Sequence, residues 1–289
     1  MQVAKAPAQQ AVFVENPYQP LLARIVRIIR MVDDNHLFTM RFLEESDTLS
    51  FKHRPGQFVM MSLPGCGEAP ISISSSPTRP GVLEFCVRRV GRLTDALYRL
   101  KTNDLVGIRG PYGNGFPVEV MHDNDLLLVA GGLGMAPLRS LLWYALDNRD
   151  RFRAVTLMYG ARNPAGMLFR DELVTLVNRD DMNCLLTVDA DPTNSWQNHY
   201  GVLTTLFDHA NIDAARTYAA VCGPPVVYKF ALEKLLALNF SKDRILMSLE
   251  RRMKCGVGKC GHCNIGYKYT CVHGPIFTYW DALNLPEMI

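Results

Sequence analysis

Between Leu22 and Arg109 the chain alternates short apolar runs with turn residues. The runs begin at Leu22, Leu37, Gln57, Ile71, Val82 and Leu105, each is alternating or rich in β-branched and aromatic residues, and Pro, Gly and Asp punctuate the gaps. Such a pattern predicts six strands in a closed antiparallel β barrel. After Val120 the period changes. Apolar strands at 125–130, 154–159, 184–188, 218–222 and 244–248 alternate with helical segments, one carrying Leu138, Leu141, Leu142, Ala145 and Leu146 on a single face, others near 169–177 and 226–238. That alternation predicts an α/β domain with a parallel sheet and crossover helices.

The expected division is therefore a flexible N-terminal arm at 1–17, rich in Ala, Gln and Pro, a barrel at 18–120, an α/β domain at 121–248 and a small C-terminal module at 249–289. A chain of 289 residues that is 48% hydrophobic has enough apolar residues for the cores this requires. A net charge of +3 without a basic stripe argues against a nucleic-acid partner. No run of about 18 apolar residues predicts a membrane span, and the first residues lack the apolar core of a signal peptide. The expectation is a cytoplasmic protein with reduced thiols.

Chemistry enters with the cysteines. Cys255, Cys260, Cys263 and Cys271 follow the spacing C-x4-C-x2-C-x7-C, whose first three positions match the plant-type ferredoxin pattern for a [2Fe-2S] cluster. Gly256, Gly258 and Gly261 let the backbone fold tightly around an inorganic core. Zinc is the rival reading, although structural zinc favours paired short knuckles. A disulfide knot is the third, and a reduced compartment weakens it. His262 could ligate a metal, but four thiolates already complete a set. Gly131-Gly132-Leu-Gly134-Met135-Ala136-Pro137 joins a strand to a helix, where free amides favour a phosphate, or where a tight turn is simply needed. Cys222-Gly223-Pro224-Pro225 ends a later strand of the same sheet, so both loops should share its carboxyl edge.

Together with Tyr159-Gly-Ala-Arg162 and the preceding barrel, these motifs resemble the ferredoxin-NADP reductase superfamily. The terminal cysteines narrow the resemblance to a branch in which a [2Fe-2S] cluster follows the nicotinamide domain. This branch includes the electron-transfer subunit of dihydroorotate dehydrogenase, its counterpart in anaerobic sulfite reductase and the gamma subunit of cytoplasmic nickel-iron hydrogenase. Ser248-Leu-Glu-Arg-Arg-Met-Lys-Cys255 and Gly274-Pro-Ile-Phe-Thr-Tyr-Trp-Asp-Ala-Leu283 look most like the last. The resemblance implies FAD along Pro70, Ile71 and Ser72 and along Val87, Arg88, Leu93 and Thr94. It implies NAD(P) on Gly131, Gly132, Gly134, Met135, Ala136, Arg162, Cys222, Gly223 and Pro224.

The family's Arg-x-Tyr-Ser/Thr flavin motif falls on Ala69-Pro-Ile-Ser72, so the pyrophosphate charge must be met elsewhere. Gly110 to Pro117 resembles the hinge between the domains. The bland alternatives are a solvated strand residue for Arg88, a salt-bridging surface residue for Arg162 and a merely buried thiol for Cys222. Cys66, Cys86 and Cys184 read as ordinary residues. What the resemblance implies is an oxidoreductase subunit that exchanges electrons between NAD(P)H, FAD and the cluster, and through the cluster with other subunits of a redox complex. No general acid or catalytic triad is expected. The alternatives are the dihydroorotate dehydrogenase or sulfite reductase counterparts and, in another class, a zinc-stapled nucleotide-sensing module.

Overall fold

A computed structural model describes residues 16–286; residues 1–15, most of the predicted arm, lie outside the described residues. The first domain is a six-stranded antiparallel sheet, β1 (Leu21–Val32), β2 (Asn35–Phe42), β3 (Phe58–Leu63), β4 (Gly67–Ser72), β5 (Leu83–Arg88) and β6 (Leu105–Tyr112), in the order β4-β3-β6-β1-β2-β5. Helices α1 (Glu45–Ser50) and α2 (Arg92–Leu97) fill connections. Alternation along the strands sends Ile25, Phe38, Met40, Val59, Met61, Phe85 and Val87 into one core. All six predicted strands form, but the barrel is not laddered all the way round. Among the described residues β4 and β5 share no ladder; beyond β4 the Ser74 amide donates to the Glu84 carbonyl at 2.8 Å. That seam matters, because a cleft opens along it.

Helix α3 (Val118–Met121) leads into the second domain. Here β7 (Asp125–Gly131), α4 (Met135–Asp147), β8 (Val155–Ala161), α5 (Arg170–Val177), β9 (Asn183–Val188), β10 (His199–Tyr200), β11 (Thr217–Cys222), α6 (Pro225–Ala237) and β12 (Ile245–Ser248) build a parallel sheet in the order β10-β9-β8-β7-β11-β12. The chain winds outward from β7 in one direction, then returns to β11 and winds in the other. The crevice at that switch point is where open sheets bind ligands. Leu126, Leu128, Leu157, Leu138 and Leu141 pack one face, and Leu127, Val129, Val221, Ala231 and Leu235 the other.

The C-terminal segment adds a hairpin of β13 (Asn264–Ile265) and β14 (Lys268–Tyr269). It then returns as β15 (Ile276–Thr278), which pairs antiparallel with β12 as the seventh strand of the parallel sheet. This edge strand is too short to be read from the sequence.

Barrel and α/β domain meet around Arg139 of α4, which is 5% exposed. Its Nη1 donates to the Ser74 carbonyl (2.9 Å) and to Glu84 (2.7 Å), and Glu172 takes Nε and Nη2 at 2.6 to 3.1 Å. Ser140 Oγ donates to the Ser75 carbonyl at 2.7 Å, and Arg79 stacks over Trp143 while pairing with Asp147 through two bonds. Arg139→Met strips the cation from two carboxylates that remain only partly wet. It should cost about 2–4 kcal/mol and lower the urea midpoint followed by circular dichroism. An unmoved midpoint would show that the ion triad adds nothing to the docking.

Candidate functional site

Two cavities lie side by side at the domain junction. The first, about 680 Å³, sits at the switch point. Gly131, Gly132 and Gly134 line it from the end of β7, Arg162 from the end of β8, and Cys222, Gly223 and Pro224 from the end of β11. A 3-10 turn at Gly132–Gly134, closed by the Met135 amide on the Gly132 carbonyl, feeds α4, and the N-terminal end of that helix dipole favours an anion such as a phosphate. The two loops are pressed together. A Cβ on Gly134 would lie 2.1 Å from the Cys222 carbonyl oxygen, whereas Gly132, at φ +52°, faces open space.

Cys222 is 2% exposed, with its Sγ 3.8 Å from the Ser248 carbonyl, which also accepts from the Tyr228 hydroxyl. Burial pushes its thiol up to about 12, so it stays neutral at physiological pH and shapes the pocket without charge.

The second cavity, about 1020 Å³, opens along the β4/β5 seam. Pro70, Ile71 and Ser72 form one wall, Cys86 and Arg88 of β5 another, Thr94 of α2 a third, and Ala136 and Pro137 close it from the nucleotide domain. Three residues carried over for the cofactors keep their side chains out of both clefts. Val87, Leu93 and Met135 are not in either cleft; they are 1%, 6% and 1% exposed inside the cores. For Val87 the reason is the two-residue strand period, which turns Cys86 and Arg88 toward the cleft and their neighbour into the barrel.

Thr94 lines the cleft from the third position of α2. Its hydroxyl accepts from the amides of Val90 and Gly91 at 2.9 Å, so it caps the helix. Cys86, read as an ordinary residue, does line the cleft, and burial raises its thiol to about 12. Arg88 borders both cavities and donates to Asp34 at 2.8 Å.

Sequence reasoning missed the wall that joins the cavities. Leu249, Glu250 and Arg251, immediately after β12, line both, and the same segment continues through Met253 and Lys254 to Cys255. The cysteine loop is therefore reached from the clefts within a few residues. Cys263 and Cys271 are buried with sulfurs 3.3 Å apart, packed on Phe58 and Met60 of β3, while Cys260 is exposed. The Gly258 amide points at the sulfur of Cys271 (3.1 Å), and those of Lys259 and Val257 at that of Cys255 (3.3 and 3.5 Å).

Amides aimed at sulfur suit thiolates rather than thiols. Among the described residues no three His, Cys, Asp or Glu side chains converge on one point, as a single-ion site requires. A two-iron cluster takes its cysteines two to an iron, and a loop that sets Cys263 beside Cys271 and Cys260 beside Cys255 has the donor chemistry for it. Gly256 at φ +75° brings this loop against the barrel, where a Cβ would meet Met60 at 2.8 Å. Two polar ties fix it. Arg109 donates to the Cys255 carbonyl (3.1 Å), and Asn114 of the hinge bonds the main chain of His273 and Ile276 at 2.7 to 3.2 Å.

Gly132→Val places a branched side chain, at a φ it resists, in the mouth of the switch-point pocket. It should weaken NADH and NADPH binding by at least about tenfold while leaving flavin content unchanged. Unaltered Michaelis constants for both nucleotides would remove this loop from the site.

Comparison with known proteins agrees with this layout. Residues 23–116 match the family described as oxidoreductase FAD-binding domain, 128–233 the oxidoreductase NAD-binding domain and 250–282 the iron-sulfur cluster binding domain of dihydroorotate dehydrogenase B. Sulfhydrogenase 2 subunit gamma of Pyrococcus furiosus is 44% identical, covering 95% of this chain and 100% of that one. Sulfhydrogenase 1 subunit gamma of the same organism is 41% identical over 95% and 96%. A probable dihydroorotate dehydrogenase B (NAD(+)) electron transfer subunit of Thermococcus kodakarensis is 36% identical over 77% and 84%. Among solved structures, an NADH-dependent reduced ferredoxin-NADP oxidoreductase superposes with TM-score 0.71 and 26% identity, covering 89% of this chain and 88% of that one. The ordered domains and the full-length relatives lead to one conclusion: the chain belongs to the family of sulfhydrogenase gamma and dihydroorotate dehydrogenase B electron-transfer subunits, within the ferredoxin-NADP reductase superfamily, and is an oxidoreductase electron-transfer subunit with FAD-, NAD- and iron-sulfur-binding domains.

Proposed function

We propose that the chain is the NAD(P)H-facing subunit of a cytoplasmic, multi-subunit redox complex of the hydrogenase type. In this reading it links NAD(P)H, FAD and a [2Fe-2S] cluster to iron-sulfur and hydrogenase-type partner subunits. The observation that carries it is the contiguity of the three sites, with Leu249 to Arg251 forming a wall common to both clefts just ahead of Cys255. The relatives named as sulfhydrogenase gamma subunits, alike over nearly their whole length, support the partner class. No helix among the described residues is long and apolar enough to cross a membrane.

When bound, the flavin supplies the conversion between the paired electrons of a hydride donor and the single electrons a cluster accepts. The chain's own part is to bind, orient and exclude water. Gly131, Gly132 and Gly134 with the start of α4 receive the nucleotide phosphates, Arg162 the adenosine side, and Cys222 with Gly223 and Pro224 the nicotinamide end. Pro70, Ile71, Ser72 and Arg88 border the flavin, and Cys255, Cys260, Cys263 and Cys271 ligate the cluster. None of these side chains is asked to act as a general acid or nucleophile, which fits a neutral, buried Cys222.

Anaerobically prepared protein should contain about one FAD and one two-iron cluster per chain; stoichiometric zinc, or FMN in place of FAD, would refute the assignment. In Cys263→Ser a harder, poorly ionised hydroxyl replaces a thiolate, so iron content should collapse. NAD(P)H reduction of a flavin-linked dye should persist and transfer to the partner subunit should fall at least about hundredfold. Full transfer by an assembled complex lacking the cluster would take the cluster off the path.

A further inference from the structure

A dinucleotide's pyrophosphate is dianionic, and enclosing it without cations is costly. This inference rests on reading the larger cleft as the FAD site, and asks what neutralises that charge. The barrel wall offers little. Strand β4 presents Glu68, Ala69, Pro70, Ile71 and Ser72. Glu68 is itself an anion, locked to Arg109 by two bonds of 2.7 and 2.8 Å. Arg88 on β5 is already paired with Asp34. The nucleotide-domain wall is Leu133, Ala136 and Pro137, which carry no charge.

The remaining strong cations of the cleft come from the segment between β12 and Cys255: Arg251, Arg252 and Lys254. Glu250, the other carboxylate there, also borders the nicotinamide pocket, as does Arg251. Arg252 and Lys254 border the flavin cleft alone, are exposed within it, and among the described residues form no ion pair.

We propose that Arg252 and Lys254 hold the FAD pyrophosphate, so that the segment leading into the cluster loop also retains the flavin. A guanidinium can take two phosphate oxygens at once, and the lysine adds a compact charge on a flexible stem. The arrangement makes flavin retention a property of the C-terminal module as well as of the barrel.

The test is a titration of flavin-depleted, full-length protein with FAD and with riboflavin, which has the isoalloxazine but no phosphate. Arg252→Gln should raise the Kd for FAD about tenfold, and the Arg252→Gln, Lys254→Gln pair further. Riboflavin affinity should stay constant, which also reports an intact cleft. Added salt should weaken FAD binding by the native chain more than by the double variant, and Arg252→Lys should recover part of the loss. FAD affinity unchanged in the double variant, or FAD and riboflavin weakened alike, would overturn the proposal, the second result assigning the segment a packing role. Failure of the native chain to bind FAD at all would instead overturn the reading of the cleft on which the proposal stands.

Discussion

Arg139 leaves α4, the helix that begins at the glycine loop, and buries its guanidinium against the barrel, where Ser74, Glu84 and Glu172 take its hydrogen bonds. A cation with so little exposure is tolerable only when paired and fully bonded. Its partners come from both domains, so the charge is satisfied in one docking geometry. That geometry puts the switch-point crevice beside the open seam of the barrel. Without it the two clefts would have no common wall, and Arg88, Leu133 and Leu249 could not border both.

A second buried arginine does the same for the cluster loop. Arg109 is 3% exposed and gathers Glu68 of β4, the Tyr112 hydroxyl, the Pro17 carbonyl and the Cys255 carbonyl. Asn114 adds a clamp from the hinge, and β15 completes the tie by pairing with β12. The C-terminal segment is thus held by the barrel, the hinge and the parallel sheet together. These contacts fix the cysteine loop relative to the two clefts.

The strands, the α4 face and the cysteine spacing were legible in the sequence because each is a local signal: a period of two, a period near 3.6, or a motif. The loops of Gly134 and Cys222 were legible as a pair because each follows a strand of one sheet. The arginines were not, since Arg139 meets Glu84 across 55 positions and Arg109 meets Cys255 across 146. Val87, Leu93 and Met135 turn their side chains into the cores for a different reason. A family motif marks a stretch of backbone, and side chains within it still obey strand alternation or helix packing. Thr94 lines the cleft while its hydroxyl accepts from the Val90 and Gly91 amides, a local cap within the helix that carries it.

The central claim is that electrons from a nicotinamide reach the cysteine-bound cluster within this single chain. Electron paramagnetic resonance of the anaerobic, partner-free protein tests it directly. Adding NADH or NADPH should produce a paramagnetic iron-sulfur signal approaching about one spin per chain, and Gly132→Val should slow its appearance at limiting nucleotide. A protein that reduces dyes with NAD(P)H yet never develops that signal, although dithionite does produce it, would contradict the account.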